Sequence, residues 1–260
     1  MSLVSCCTFA AIIHLTMQLL IDLGNTKTKL AIFKENRQIH FHLVDRLTVP
    51  VLDVIFDEHP NLRSSILSSV APYSKEIDLL LSSRTNYFCL SHQTPLPFTL
   101  AYETPQTLGK DRIAAVAGGV SLFPNTNLLV IDAGTSITYD LITAEGAYLG
   151  GAISPGIDMR FKALNTFTDK LPLLQHEPEI NVDLIGNTTN TCIQSGVKNG
   201  VLAELEGIIN RYQLQFPKLK VVVSGGDYKY FEKYIKSDIF ATPNIVIQGL
   251  KKILDFNENK

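Results

Sequence analysis

The sequence predicts an α/β protein made of two similar halves that face one another across a cleft. Three observations carry this. A short motif occurs twice: Asp22-Leu23-Gly24-Asn25-Thr26-Lys27-Thr28 follows the apolar Leu19-Leu20-Ile21, and Asp132-Ala133-Gly134-Thr135-Ser136-Ile137-Thr138 follows Leu129-Val130-Ile131. The second copy lies 110 positions after the first, and each continues as an alternating strand, over 29–33 and 139–142. Strand-like and helix-like runs also alternate through both halves, the pattern of α/β architecture.

A buried strand ending in Asp, a glycine turn and a Thr-rich returning strand suit phosphate. Glycine lets the backbone come close, turn N–H groups and hydroxyls donate to phosphate oxygens, and the carboxylate holds a cation or its water. One Asp-x-Gly is ordinary turn chemistry. Two at equivalent strand ends indicate a duplicated fold with a nucleotide between the halves.

The remaining elements follow in order. The first hairpin spans 18–33, and strands are predicted at 38–44, 66–70 and 87–90, with a helix over 75–83. A Pro-rich connection (Pro95, Pro97, Pro105) delivers Leu108-Gly109-Lys110-Asp111-Arg112 to a helix over 113–123. That helix is almost all Ala, Val, Gly and Ile, so it is buried and closely packed. After the second hairpin the chain turns at Gly150-Gly151-Ala152-Ile153-Ser154-Pro155-Gly156 and enters a helix over 159–165. The polar segment 171–184 reads as an exposed loop. Val197, Val201, Leu205, Ile208, Ile209 and Tyr212 keep helical spacing. Strand 220–223 ends in Ser224-Gly225-Gly226-Asp227, and a helix over 247–254 closes the chain.

With 260 residues, 45% of them hydrophobic, the chain can bury a substantial core. Its net charge of −2 and scattered Lys and Arg argue against nucleic-acid binding. Cys6, Cys7, Cys89 and Cys192 lack CxxC spacing and the histidines lack HxxxH, which argues against zinc and disulfides and for a cytoplasmic setting. Residues 2–16 are uncharged and mostly apolar, like a signal-peptide core, but no basic region precedes them and they run into the Asp22 strand. Cys, Thr, His and Gln interrupt them before membrane-spanning length, so no membrane partner is expected. We read 1–16 as a dispensable leader, with halves at 17–126 and 127–260.

Asp111 has two readings. Asp just before a helix is a favoured N-cap. A kinase also needs a carboxylate away from the metal to take an acceptor's hydroxyl proton, and Arg112 could then pair with an anionic substrate. Gly225 and Gly226 could form a plain turn or a bed for adenine or ribose. Thr188 and Thr189 could cap a helix or touch substrate. Gly196 and Gly200 suggest close helix packing, and Glu204 and Glu206 solvated helix charges.

Together, Asp22-x-Gly-Asn-Thr-x-Thr, Tyr102-x-x-Pro105, Gly109-x-Asp111-Arg112, Asp132-Ala-Gly-Thr135, Gly150-Gly-x-Ile-x-Pro-Gly156, Thr189 with Gln194-Ser-Gly196, and Ser224-Gly-Gly-Asp227 resemble the type III pantothenate kinase family from Met17 to about Leu254. The resemblance implies the acetate-and-sugar-kinase, heat-shock-protein-70 and actin fold, and phosphorylation of pantothenate by ATP as the first step of coenzyme A synthesis. It implies that Asp22 to Lys29 form a phosphate loop, with Asp22 serving Mg²⁺. Thr135 would contact ATP phosphate, and Asp132 would hold K⁺ or NH₄⁺. Tyr102, Gly109, Lys110, Asp111, Arg112 and Thr189 would contact pantothenate, with Asp111 as general base. It also implies a homodimer with substrate sites near the interface. Lys110 and Thr104 depart from the family's usual small residue and Asn. Two alternatives stand beside this: a non-enzymatic regulator similar to a transcription accessory factor, and a kinase of the same fold acting on another small hydroxy acid.

Overall fold

The computed structural model describes residues 17–258, so the expected leader lies outside the described residues. Two mixed sheets form its frame. The first contains β1 (Met17–Leu23), β2 (Thr28–Lys34), β3 (Arg37–Val44), β4 (Leu62–Ser69) and β5 (Asn86–Cys89), in the order β3-β2-β1-β4-β5. The second contains β6 (Thr99–Leu100), β7 (Leu128–Ala133), β8 (Ser136–Ile142), β9 (Ala147–Pro155), β10 (Lys220–Ser224) and β11 (Phe240–Ala241), in the order β11-β10-β7-β8-β9-β6. Setting β7–β11 over β1–β5 gives the same order. The directions match too, with two antiparallel steps followed by two parallel ones. The short β6, from the earlier part of the chain, adds to the free edge of β9.

Central strands are buried on both faces, so β1 and β7 read as continuous apolar runs that end in the two aspartates. The helices are α1 (Val49–Glu58), α2 (Lys75–Arg84), α3 (Lys110–Leu122), α4 (Ile157–Thr166), α5 (Thr189–Gln215), α6 (Tyr228–Tyr234) and α7 (Ile245–Glu258). Helices α3 and α7 pack on each other and join both sheets in one core. That core includes Leu20 and Ile66 of the first sheet, Leu128 and Val130 of the second, and Ala114, Ala117, Ile247 and Leu250 between them. The approach is backbone against backbone. A Cβ on Gly118 would lie 2.3 Å from the Ile245 carbonyl oxygen, and one on Gly249 would lie 1.6 Å from that of Ala114.

Several details differ from expectation. The residues expected to turn at Gly150–Gly156 instead form most of β9, paired along β8, and α6 was not expected. Helix α1 was not foreseen, although Pro50 sits in its first turn and Leu52, Ile55 and Phe56 share its buried face. Strand β4 begins at Leu62 because Ser64 and Ser65, which hydropathy disfavours, are buried. Helix α3 begins at Lys110 with Gly109 as its N-cap, so Asp111 lies inside the first turn and not before the helix. Finally, Gly196 and Gly200 meet no neighbour within the chain among the described residues, because α5 buries its opposite face through Val197, Val201, Leu205 and Ile209, so any helix packing on them comes from outside the described chain.

Gly249→Ala tests the helix contact. Ala gains about 1 kcal/mol in helix propensity, but its methyl would meet the Ala114 carbonyl and force α3 and α7 apart. Overpacking of this kind costs ~1–3 kcal/mol or more, so a net loss is expected in urea melts. An unchanged midpoint would contradict the packing.

Candidate active site

The two repeated hairpins meet at the carboxyl ends of β1 and β7. Asp22 pairs across the ladder with Lys29 and lies beside Ser68 of β4; Asp132 pairs with Thr138 and lies beside Ser224 of β10. Each turn closes on itself, with Gly24 N–H donating to the Lys27 carbonyl at 3.1 Å and Gly134 N–H to that of Ser136 at 3.0 Å. Across the cleft, the hydroxyls of Thr26 and Thr135 are 3.1 Å apart.

These groups line a cleft of ≈ 300 Å³ together with Asp111. Of the residues expected from sequence, it gathers Asp22, Gly24, Asn25, Thr26, Lys27 and Lys29 from the first hairpin. Asp132 and Thr135 come from the second, Asp111 from α3, and Gly226 from the turn after β10. Leu23 and Thr28 are buried in the strands that frame the first turn. Lys27 reaches outward to Asp45. Ser136, Thr138 and Val246 also line the cleft and were not foreseen. Thr138 could have been found, since the repeat sets it where Thr28 stands in the first hairpin; in the ladder it faces Asp132 as Lys29 faces Asp22.

Three carboxylates, those of Asp22, Asp111 and Asp132, share the cleft with the Lys29 ammonium, 3.4 Å from Asp22. Burial pushes the Asp132 carboxyl up to about 6; Lys29 opposes this, while Asp22, Asp111 and Asp140 add to it. Burial likewise raises Asp22 against the pull of Lys29. Hard oxygen donors with an excess of negative charge suit Mg²⁺ or a monovalent cation. Among the described residues no three acidic, His or Cys side chains converge on one point. An ion here would therefore draw most of its ligands from phosphate and water.

The cap reading of Asp111 does not hold in its original form, because Gly109 occupies the cap position. The Asp111 Oδ1 accepts from the N–H of Arg112 at 2.8 Å. Arg112 turns inward: its Nε donates to Asp140 Oδ1 at 2.9 Å, and Tyr148 donates to the same oxygen at 2.7 Å. Nη2 is 2.8 Å from that oxygen but poorly aligned. Arg112 Nη2, Asp140 Oδ2 and Thr138 Oγ1 are buried without a hydrogen-bond partner among the described residues. Lys110 precedes Asp111 at the helix start, and the Tyr102 ring lies 6.0 Å from that of Tyr148.

Gly225 adopts φ +97°, and a Cβ there would lie 2.1 Å from the Ala133 carbonyl oxygen. The turn after β10 is thereby seated on the second hairpin. At the start of α5, Thr188 is the N-cap in a reciprocal capping box with Thr191, while Thr189 is the first helical residue and exposed. Glu204 is not a solvated helix charge. It accepts from Tyr139 at 3.0 Å and from Arg160 at 2.6 Å; burial works against its charge, but bonds from Ser154 and Arg160 hold its carboxyl below the usual range.

A family model described as type III pantothenate kinase matches residues 18–211. A type III pantothenate kinase of Christiangramia forsetii is 42% identical over 245 residues, covering 94% of this chain and 100% of that relative. One of Phocaeicola vulgatus is 44% identical over 243 residues, covering 93% and 99%. This chain belongs to the type III pantothenate kinase family.

Among solved structures, a Campylobacter jejuni protein described as a Baf family transcriptional activator matches with a TM-score of 0.60 at 21% identity, covering 93% of this chain and 100% of that one. A Listeria monocytogenes protein described as an N-acetylmannosamine kinase gives 0.51 at 10% identity, covering 93% and 100%. At such identities the likeness is one of fold. The type III pantothenate kinase chain has the duplicated actin-like architecture expected of it. No helix among its described residues is long and apolar enough to cross a membrane.

The raised Asp132 carboxyl gives a stability test for this family member. Its folded value of about 6 lies above the ordinary 3.8, so ionisation opposes folding. The protonated form's advantage is complete below the ordinary value and is lost as pH rises through about 6. Asp132→Asn should therefore stabilise the ligand-free protein at pH 8 by on the order of 2 kcal/mol, with the gain vanishing near pH 4. Calorimetric melts at the two pH values check this; an equal effect at both would refute the burial argument.

Proposed function

We propose that this chain transfers the γ-phosphoryl group of ATP to the primary hydroxyl of pantothenate, the first step of coenzyme A synthesis, in the cytoplasm. The observation that carries the reading is the presence of Asp111 in the same cleft as both repeated hairpins. A third carboxylate, borne by a separate helix, can serve the acceptor while the strand-end pair serves the phosphates.

In this reading the turn N–H groups, the Thr26 and Thr135 hydroxyls and Lys29 hold the phosphate chain, and Gly225 and Gly226 bed the nucleoside. Asp22 and Asp132 fit Mg²⁺ and K⁺ or NH₄⁺ respectively, and these cations when bound neutralise charge that builds on the transferring group. Pantothenate lies over Gly109–Arg112 and Tyr102. Beneath it the buried Arg112–Asp140 pair fixes the start of α3. Asp111 takes the proton of the attacking hydroxyl, and positioning with electrostatics supplies the rest of the rate, as in phosphoryl transfer generally.

The active form is a homodimer. On α5, Gly196, Gly200 and Gly207 meet nothing within 4 Å, and Ile153 on β9 and Leu214 on α5 are 64% and 87% exposed. A second copy seated on this face would cover them and bring its own surface near Thr189. Light scattering should give about twice the 28.8 kDa chain mass; a fully active monomer would overturn the dimer.

The deciding experiment is ADP release with ATP, Mg²⁺ and K⁺, with and without pantothenate. Turnover with pantothenate alone among small hydroxy acids supports the proposal, and turnover with another acceptor supports the second reading. Asn in place of Asp111 is nearly isosteric but cannot accept the proton, so turnover should fall by roughly 10²- to 10⁴-fold. Near-normal turnover in a folded Asp111→Asn protein would remove Asp111 as the base. The likeness to a Baf family protein rests on fold, and a regulator has no use for a third carboxylate in the cleft.

A further inference from the structure

Between α4 and α5 the chain holds no helix or strand, yet it is fastened down. Three α5 residues within about one turn bind it through backbone carbonyls. Ser195 Oγ donates to Leu184 at 2.6 Å, Asn199 Nδ2 to Asp183 at 3.3 Å, and Lys198 Nζ to both Glu177 at 2.8 Å and Ile180 at 2.6 Å. Lys198 is 3% exposed, with its ammonium 5.2 Å from the centre of the Tyr230 ring. A buried ammonium is costly unless its donors are satisfied. Its two carbonyl acceptors and the ring face make it a fixed anchor.

The anchored segment delivers His176. Its side chain is 5% exposed, its main-chain N–H donates to Asp158 of α4 at 3.3 Å, and its ring meets Tyr230 of α6 edge-on at 5.1 Å. Nε2 points at Asp227 Oδ1, 3.7 Å away, and neither ring nitrogen has a hydrogen-bond partner among the described residues. Burial lowers the His176 imidazole and pushes the Asp227 carboxyl up to about 6. At neutral pH a neutral imidazole therefore faces a carboxylate that can accept its proton. Asp227 N–H in turn donates to the Ala133 carbonyl at 3.2 Å, on the second phosphate hairpin. The His176–Asp227 contact thus adjoins both the glycine turn and, through that bond, the second hairpin.

We propose that His176 and Lys198 are positioning residues for nucleotide binding: the segment 171–184 is a strap that sets the Ser224–Asp227 turn through the His176–Asp227 contact. The proposal rests on the reading of that turn as the nucleoside's bed.

Titration of the full chain with ATP and Mg²⁺ by calorimetry, with no acceptor present, tests it. His176→Phe keeps the ring packing and loses the N–H, so the Kd should rise about five- to tenfold. His176→Gln restores a donor and should return it to within about twofold. Lys198→Met should weaken ATP to a similar degree and expose 171–184 to protease. In turnover, KM for ATP should rise while kcat and KM for pantothenate hold. The proposal fails if His176→Phe binds ATP like the wild type, if His176→Gln is as weak as Phe, or if all kinetic parameters fall together as for simple unfolding. Because the titration needs no acceptor, a wild-type chain that binds ATP but does not phosphorylate pantothenate counts against the proposed function and not against the strap.

Discussion

The contact on which the rest depends is the backbone approach of α3 to α7. Each helix starts beside the cleft. Asp111 is in the first turn of α3, and α7 begins at Ile245, whose N–H is received by Ser224 Oγ at 3.1 Å. The distance between the helices therefore sets the distance from Asp111 to the two strand-end aspartates. Side chains at Gly118 or Gly249 would widen it, and no adjustment of the loops could restore the cleft. The core that results takes residues from both sheets, so cleft geometry and global stability share the same contacts.

Against this rigid frame the cleft stores unfavourable electrostatics. Two buried carboxylates at strand ends, with a third nearby, oppose folding in the empty protein, and the single ammonium of Lys29 offsets them in part. Such groups are held in place by the surrounding fold, a familiar trade of stability for activity. Arg112 and Asp140 join the two halves beneath Asp111 by a buried ion pair. Removing one partner there would leave an uncompensated charge, a loss of ~3–5 kcal/mol.

Much of this was legible in the sequence because the motifs are local. Asp, Gly and Thr at fixed offsets from an apolar strand determine the hairpins, and their repetition announced the shared strand order. The Gly109–Arg112 turn was found in the same way, although its helix starts earlier because Gly109 can cap without a side chain. What stayed hidden depends on tertiary partners. Buried serines in β4 carry no hydropathy signal, and α1 offers only three buried residues. The glycines of α5 suggested close packing of two helices, and within the chain its apolar stripe lies on the other side. The segment 171–184 is the exposed loop its composition predicts, but its anchors, Ser195, Lys198 and Asn199, lie in a different element and left no local signal.

The repeat is not perfect, and the imperfection gives the cleft a direction. A strictly duplicated pair of hairpins would have twofold symmetry and would receive a linear ligand head-first or tail-first with equal free energy. The two ladders share their register but not their side chains, and at the position nearest the cleft Lys29 faces Asp22 where Thr138 faces Asp132. One ammonium against one hydroxyl breaks that degeneracy. Every 1.4 kcal/mol of difference in contact with a charged end makes one orientation about tenfold more populated than its reverse. Duplication built the vessel; divergence of its two copies beside the aspartates marks which end is which.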